Sequence, residues 1–332
     1  MGQATVVDLT NDPDWDEAIW QQPGASIYAS RRWGEYKRRI GWDVRRLAIR
    51  SCDGQALAFA QIQRRRRWLG HVVLAQGGPI LTPLGERRAE AVFRAFLDHL
   101  RLGRLDLLGV NYQQFQTPAA MLALLGHSFA PVVTTRTHTL ELDLTREAER
   151  IRAGMEGRWR DVLKAAEANP DLSTGFPTDP ADRLSAFETF SRLYAALKRR
   201  KGFRNSLDPA AFRDLAAHDP NLLFLEIRER GEPILVRIVH RAVHRWTDFY
   251  VASNERAKVT GAGRLALWRL IERAQREGAS VLDLGGIDPA GNPGVYEFKR
   301  GVCRNAVAAN PLWLFSRTRS MRRAATAILA AR

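Results

Sequence analysis

Cysteine is nearly missing from this chain: Cys52 and Cys303 are the two in 332 residues. They form no Cys-x-x-Cys pair and no histidine pair lies near them, which argues against a disulfide framework and against a zinc site. Long apolar runs are also lacking; no stretch approaches the roughly 18 consecutive apolar residues that suggest a membrane span. The start, Met1 to Asp8, has neither a basic opening nor an apolar core, so no secretory leader is expected. Gly2 is not followed by the pattern of myristoylation. A cytoplasmic protein without a metal is the simplest expectation. His71, His127, His138, His240 and His244 are scattered, and no Ser-His-Asp set is evident. Acidic residues are in deficit, 36 against 51 basic, for a net charge of +15. That balance says nothing about fold. It favours polyanionic partners (nucleic acid, phosphates or an anionic membrane surface), unless it reflects only an arginine-rich composition.

What is present describes a globular protein. Hydrophobic residues make up 45% and aromatic residues 9%, and the length suits two domains of ordinary size. Residues 14–22 read as a short helix stopped by Pro23-Gly24. Ser30 can cap a second helix over Arg31–Ile40, with Trp33 and Tyr36 on one face and Lys37 at its edge. Residues 31–46 hold seven Arg or Lys. Strands follow over Val44–Arg50 and Ala56–Gln63, joined by Asp53-Gly54, a good hairpin signal. Arg64 to Arg67 form a run that is either a solvated face or a track for phosphates. A strand at His71–Ala75, a helix over about Gly85–Leu102, a strand at Leu105–Val110, a helix at Pro118–Leu125 and a strand at Thr137–Leu144 complete a β-β-β-α-β-α-β half.

The pattern then begins again. Helices are expected over Ala148–Asn169, Asp182–Lys201 and Pro209–Ala217. Strands are expected at Leu222–Arg228, Pro233–His240 and Trp246–Val251. A helix over Gly263–Glu277, ended by Gly278, leads to a strand at Val281–Leu284. A stretch rich in Gly and Pro after that strand reads as a loop delivering Tyr296, Phe298 and Lys299. A last helix spans about Thr318–Ala331. Alternation of strands and helices predicts an α/β protein of two similar domains, 1–143 and 144–317, with the final helix, 318–332, packing back on the first.

The order of elements resembles the GCN5-related acyltransferase (GNAT) fold used twice. The details resemble the FemABX family, peptidyltransferases that take an amino acid from aminoacyl-tRNA. Ser30-Arg-Arg-Trp33 to Lys37 with Gly41-Trp42 looks like the family's N-terminal helix. Gly78-Pro79-Ile80-Leu81 looks like its Arg-Gly-Pro strand end, with Gly77 where the family has Arg. Thr139–Leu144 with Met155 and Arg158–Ala165 looks like its inter-domain strand and helix. Asp283-Leu-Gly-Gly-Ile287 and Phe298-Lys299-Arg-Gly301 look like its C-terminal signature. No sustained heptad run separates residues 145 and 222, so the likeness is to the short FemX form, which implies a monomer.

This resemblance implies an aminoacyltransferase that forms an amide bond, with aminoacyl-tRNA as co-substrate and no other cofactor. The implied acceptor is an amine on a nucleotide-linked muramyl peptide, or a small metabolite. Lys299, after Phe298, matches the residue that stabilises the developing oxyanion. Lys37, on the helix of Trp33, matches a grip on acceptor phosphate. Arg204 matches a second grip, although Arg199 and Arg200 compete for it. Tyr250 and Tyr296 either hydrogen-bond the peptide or are core tyrosines. A rival reading comes from Lys258-Val-Thr-Gly-Ala-Gly263 before a helix, which resembles a coenzyme A pyrophosphate loop with Lys in place of Arg or Gln. That reading makes the protein a coenzyme A-dependent N-acyltransferase.

Overall fold

The structure is a computed structural model that describes residues 4–67, 69–112, 117–132, 138–201, 207–308 and 310–330. It divides into two compact units: residues 1–137 with 309–332, and residues 138–308.

The first unit opens with β1 (Ala4–Asp8), α1 (Trp15–Trp20) and α2 (Arg31–Arg39). The Ser30 hydroxyl accepts the Trp33 N–H at 3.1 Å, the cap that starts α2. β2 (Asp43–Ser51) and β3 (Ala56–Arg67) form an antiparallel hairpin. β3 runs on through all four arginines, beyond the expected end at Gln63. Its outer half pairs with β4 (Gly70–Gln76), and that pairing keeps the polar run extended. After β5 (Ile80–Leu81), the helix expected over Gly85–Leu102 is two: α3 (Pro83–Arg87) and α4 (Ala89–Leu100). β6 (Leu107–Asn111), α5 (Pro118–Gly126) and β7 (Ala130–Val132) follow. β6 pairs with β4 in parallel.

The second unit starts at β8 (His138–Asp143). This strand, expected to close the first domain, pairs instead within the second sheet, which moves the boundary to residue 137. The single helix expected over Ala148–Asn169 is broken into α6 (Ala148–Gly154) and α7 (Gly157–Glu167), because Met155 turns extended. Then come β9 (Leu172–Gly175), α8 (Pro180–Lys201), α9 (Pro209–His218), and the strands β10 (Leu222–Glu229), β11 (Glu232–Arg241) and β12 (Arg245–Ser253). The β10–β11 turn holds Arg230 and Gly231 at φ 52° and 87°, a turn that fits the right-handed twist of a hairpin. α10 (Glu255–Val259), α11 (Ala262–Arg276), β13 (Val281–Gly286), α12 (Pro293–Arg300) and β14 (Ala306–Ala308) complete the unit. β13 pairs with β12 in parallel. The sheet order is β14-β8-β13-β12-β11-β10-β9. α11 buries Leu265, Trp268, Ile271 and Ala274, as their spacing predicts. Each large side chain fully buried there contributes about 1.5–3 kcal/mol.

The chain returns to the first unit from residue 309, not from 318 as expected, with β15 (Leu312–Phe315) and α13 (Arg319–Ala330). β15 lies between β6 and β7, so the first sheet reads β1-β2-β3-β4-β6-β15-β7, with β5 on β3. α13 packs on β7 and β15. Each unit thus has the same plan: antiparallel strands, a helix, then a strand added in parallel. No described helix is long and apolar enough to cross a membrane.

Candidate functional site

Lys299 lies on a helix, not on a loop. The glycines and prolines after β13 suggested irregular structure, but Pro293 takes the first turn of α12, where its fixed φ suits a helix and its missing N–H costs nothing. Lys299 and Arg300 occupy the last turn of α12. The Lys299 ammonium donates to the carbonyl oxygens of Gly285 at 3.1 Å and Gly286 at 2.9 Å. Gly285 turns at φ 77°, and its N–H donates to Asp283 at 2.8 Å. Asp283 also accepts from Arg245 at 2.8 Å and from the Thr139 hydroxyl. The turn that meets Lys299 is therefore held from three sides.

Burial lowers the Lys299 pKa, and the carboxylate of Asp248 opposes that shift. Asp248 pairs with Arg237 in the core of the second unit. Burial raises its pKa while Arg237 pulls it down. The β11–β12 register shifts between Ile238 and Val239, a bulge of the kind that re-aims side chains beside a site.

Phe298 is half-buried and packs on the core of the second unit. Its ring meets Trp159 at 5.9 Å. The Trp159 indole N–H donates to the Phe298 carbonyl at 3.1 Å. A Cβ on Gly263 would lie 3.7 Å from the Phe298 ring, so α11 also borders this wall. Arg264 stands over Trp159 at 5.8 Å. Burial and the nearby Arg158 lower its pKa. Sequence reasoning gave no role to Trp159, Asp248, Arg237 or Arg264; Trp159 lies in the Arg158–Ala165 stretch, but its partner Phe298 is 139 positions away.

Tyr250 sits among aromatic rings: Phe249 at 4.4 Å, Phe190 at 6.0 Å and Tyr194 at 6.3 Å. Tyr296 is half-buried against the unit's core. Arg204 lies outside the described residues. Of its competitors, Arg200 pairs with Glu255. In the Lys258–Gly263 segment, Gly261 holds φ 73° and a Cβ there would lie 2.8 Å from Val162. The close approach of α7 accounts for that glycine without a ligand.

In the first unit, Trp33 is buried against Tyr28 and Tyr36, with ring centroids at 5.0 and 5.1 Å. Lys37 lies 5.0 Å from the Trp33 ring and 5.6 Å from Tyr36, within cation–π range. Burial lowers its pKa. Among the described residues no carboxylate is within ion-pair reach of it. Buried Arg46 fixes the helix beneath, bonding Gln61 at 2.9 Å, the Thr10 carbonyl at 2.8 Å and Glu35 at 3.2 Å. Gly77 holds φ 77°, and a Cβ there would lie 2.5 Å from the Ser26 hydroxyl, so an arginine does not fit this position without movement.

These two units are tandem GNAT-like domains of mixed α/β architecture. Residues 153–300 match the acetyltransferase (GNAT) domain family. The particular likeness is to FemX, whose crystal structure superposes with a TM-score of 0.79 at 13% identity, over 97% of this chain and 99% of that one. The C-terminal domain of a putative lysylphosphatidylglycerol synthetase from Agrobacterium fabrum gives 0.63 at 13% identity, over 96% and 93%. A tandem GNAT protein from the clavulanic acid biosynthesis pathway gives 0.53 at 12% identity, over 94% and 98%. No curated protein matches the chain by sequence. At these identities the likeness establishes a FemX-like tandem GNAT fold.

Proposed function

We propose that the protein is an aminoacyltransferase that moves an amino acid from aminoacyl-tRNA to an amine, forming an amide. The observation that carries this reading is the placement of Lys299: a half-buried ammonium at the end of β13, beside the Phe298–Trp159 wall. In the reaction the acceptor nitrogen attacks the ester carbonyl carbon. The carbon–oxygen bond to the ribose breaks, and the proton lost by the amine ends on the ribose hydroxyl. No covalent enzyme intermediate is needed, because the ester is already activated. The protein must position the partners and stabilise the oxyanion, which is the work of a desolvated cation. Lys37, a half-buried lysine on aromatic rings with no carboxylate partner among the described residues, suits an anionic group of the acceptor, such as a phosphate.

Coenzyme A-dependent N-acylation is the second reading, favoured by the match of residues 153–300 to GNAT domains. It is weakened by Gly261, whose conformation and packing against Val162 explain the glycine turn. Mass spectrometry after incubation with charged total tRNA and a panel of amine acceptors, in parallel with acetyl-coenzyme A, separates the two. A product heavier by an aminoacyl residue, dependent on tRNA charging, supports the first reading. A product heavier by an acetyl group, independent of tRNA, overturns it.

A further inference from the structure

A groove in the first unit has four arginines and one carboxylate, Asp106, in its lining. It lies where the outer end of β3 turns into β4, beside the C-terminus of α4. It encloses about 560 Å³ and is bordered by Arg64, Arg66, Arg101 and Arg104, with Leu69 and Leu105. Strand alternation explains the first pair. Arg64 and Arg66 share one face of β3, while Arg65 turns the other way, 5.9 Å from the Trp42 ring. The run of arginines is therefore two half-runs with different surroundings.

Arg101 arrives by another route. It caps α4 in the left-handed region at φ 44°, where glycine is usual and another residue costs about 1–2 kcal/mol. Backbone strain of this kind clusters where a side chain has work to do. Arg64 is partly neutralised, 3.5 Å from Asp106 and 3.1 Å from His71 Nδ1. Asp106 is itself nearly buried and accepts the N–H groups of His71 at 2.7 Å and Gly103 at 2.9 Å. Burial pushes its pKa up, but these hydrogen bonds outweigh that and hold it below the ordinary carboxylate value. It is a fixed anchor for one arginine. Among the described residues, no carboxylate pairs with Arg66, Arg101 or Arg104, and all three are exposed. Unpaired like charges gathered round a concavity raise the local concentration of anions.

We propose that this groove binds the phosphate backbone of RNA. The proposal rests on the reading that the acyl donor is an aminoacyl-tRNA, and it names a surface for that backbone. Guanidinium groups fork onto phosphate oxygens. A concave site admits a strand of phosphates, whereas the plane of a membrane does not enter it. Leu69 is 75% exposed and Leu105 46%, and they offer apolar contact for sugars and bases.

The test is fluorescence anisotropy of full-length protein with uncharged tRNA, between about 50 and 200 mM salt. The wild type is expected to bind with steep salt dependence. The double variant Arg66→Ala/Arg104→Ala loses two phosphate contacts, so its log–log salt slope should flatten by about 1.4–1.8. Arg101→Gly should also weaken binding, and misfolding cannot explain that loss because glycine suits the backbone there. Arg94→Ala, elsewhere on α4 and paired with Glu90 at 3.0 Å, should leave binding unchanged. Unaltered affinity and slope in the groove variants overturn the proposal while leaving aminoacyl transfer standing. Weakened binding to phosphatidylglycerol vesicles, with tRNA binding intact, also overturns it. Absence of tRNA binding by the wild type overturns both this proposal and the reading beneath it.

Discussion

Trp159 and Phe298 are joined twice: the indole N–H donates to the Phe298 carbonyl at 3.1 Å, and the rings meet at 5.9 Å. This double contact fixes α12, and therefore Lys299, to α7 across 139 positions of sequence. Gly301 makes it possible, because a Cβ there would lie 2.7 Å from Trp159 Cδ1. Gly301→Ala should therefore push α12 off its seat and destabilise the second unit by about 1–3 kcal/mol, as overpacking does. Trp159→Phe keeps most of the ring but leaves the carbonyl unpaired, at about 1 kcal/mol. Urea denaturation checks both. A stability change within error for Gly301→Ala would remove this account of the glycine.

The pH dependence of turnover should report Lys299. Burial lowers its pKa from 10.5, and the charged form is the one that stabilises an oxyanion. Activity should fall as pH rises through an apparent pKa below 10.5. Asp248 favours the ammonium, so Asp248→Asn should move this alkaline limb to lower pH. A limb that stays in place, or moves upward, contradicts the assignment.

Truncation after Ala308 should unfold the first unit rather than trim it. β15 lies inside the sheet between β6 and β7, and it buries Trp313 and Leu314 to 3% and 2% exposure. Full burial of such side chains contributes about 1.5–3 kcal/mol each, much of a domain's net stability. Amide hydrogen exchange on the truncated chain should show β6 and β7 unprotected. Native protection there would mean the last strand is dispensable.

Arg101→Gly should raise stability. The residue is exposed and sits at φ 44°, so the change relieves about 1–2 kcal/mol of backbone cost. The greater freedom of glycine in the unfolded chain offsets about 0.5–1 of that. A net gain of several tenths of a kcal/mol is expected in denaturant titrations, and a loss would show that the arginine makes a stabilising contact.

Much of the fold was legible because local signals and tertiary structure agreed. Ser30 caps α2, Gly278 at φ 79° follows α11, and Arg230-Gly231 turn a hairpin. Other features depended on partners remote in sequence. β3 runs through four arginines because β4 pairs with them. β8 belongs to the second sheet because β13 and β14 take it up. The single helix expected after residue 148 is broken at an extended Met155, between Gly154, which ends α6, and Gly157, which starts α7. At the candidate site, Phe298 and Lys299 were readable as a motif. The buried Asp248–Arg237 pair and the Trp159 seat were not, since each joins residues that only the fold brings together. Proline at the start of α12 was a helix signal obscured by the glycines around it.

The most direct test of the central claim is steady-state kinetics of folded Lys299→Ala, with aminoacyl-tRNA saturating and the acceptor varied. If Lys299 stabilises charge that appears only in the transition state, turnover should drop by about 10²–10³ with little change in acceptor KM. Lys299→Arg keeps the charge in a planar, bulkier group and should recover part of the loss. Lys37→Ala should do the opposite, raising acceptor KM with turnover largely kept. A folding defect would harm both variants alike, so the contrast between them is the readout. Near-wild-type turnover in Lys299→Ala would contradict the account.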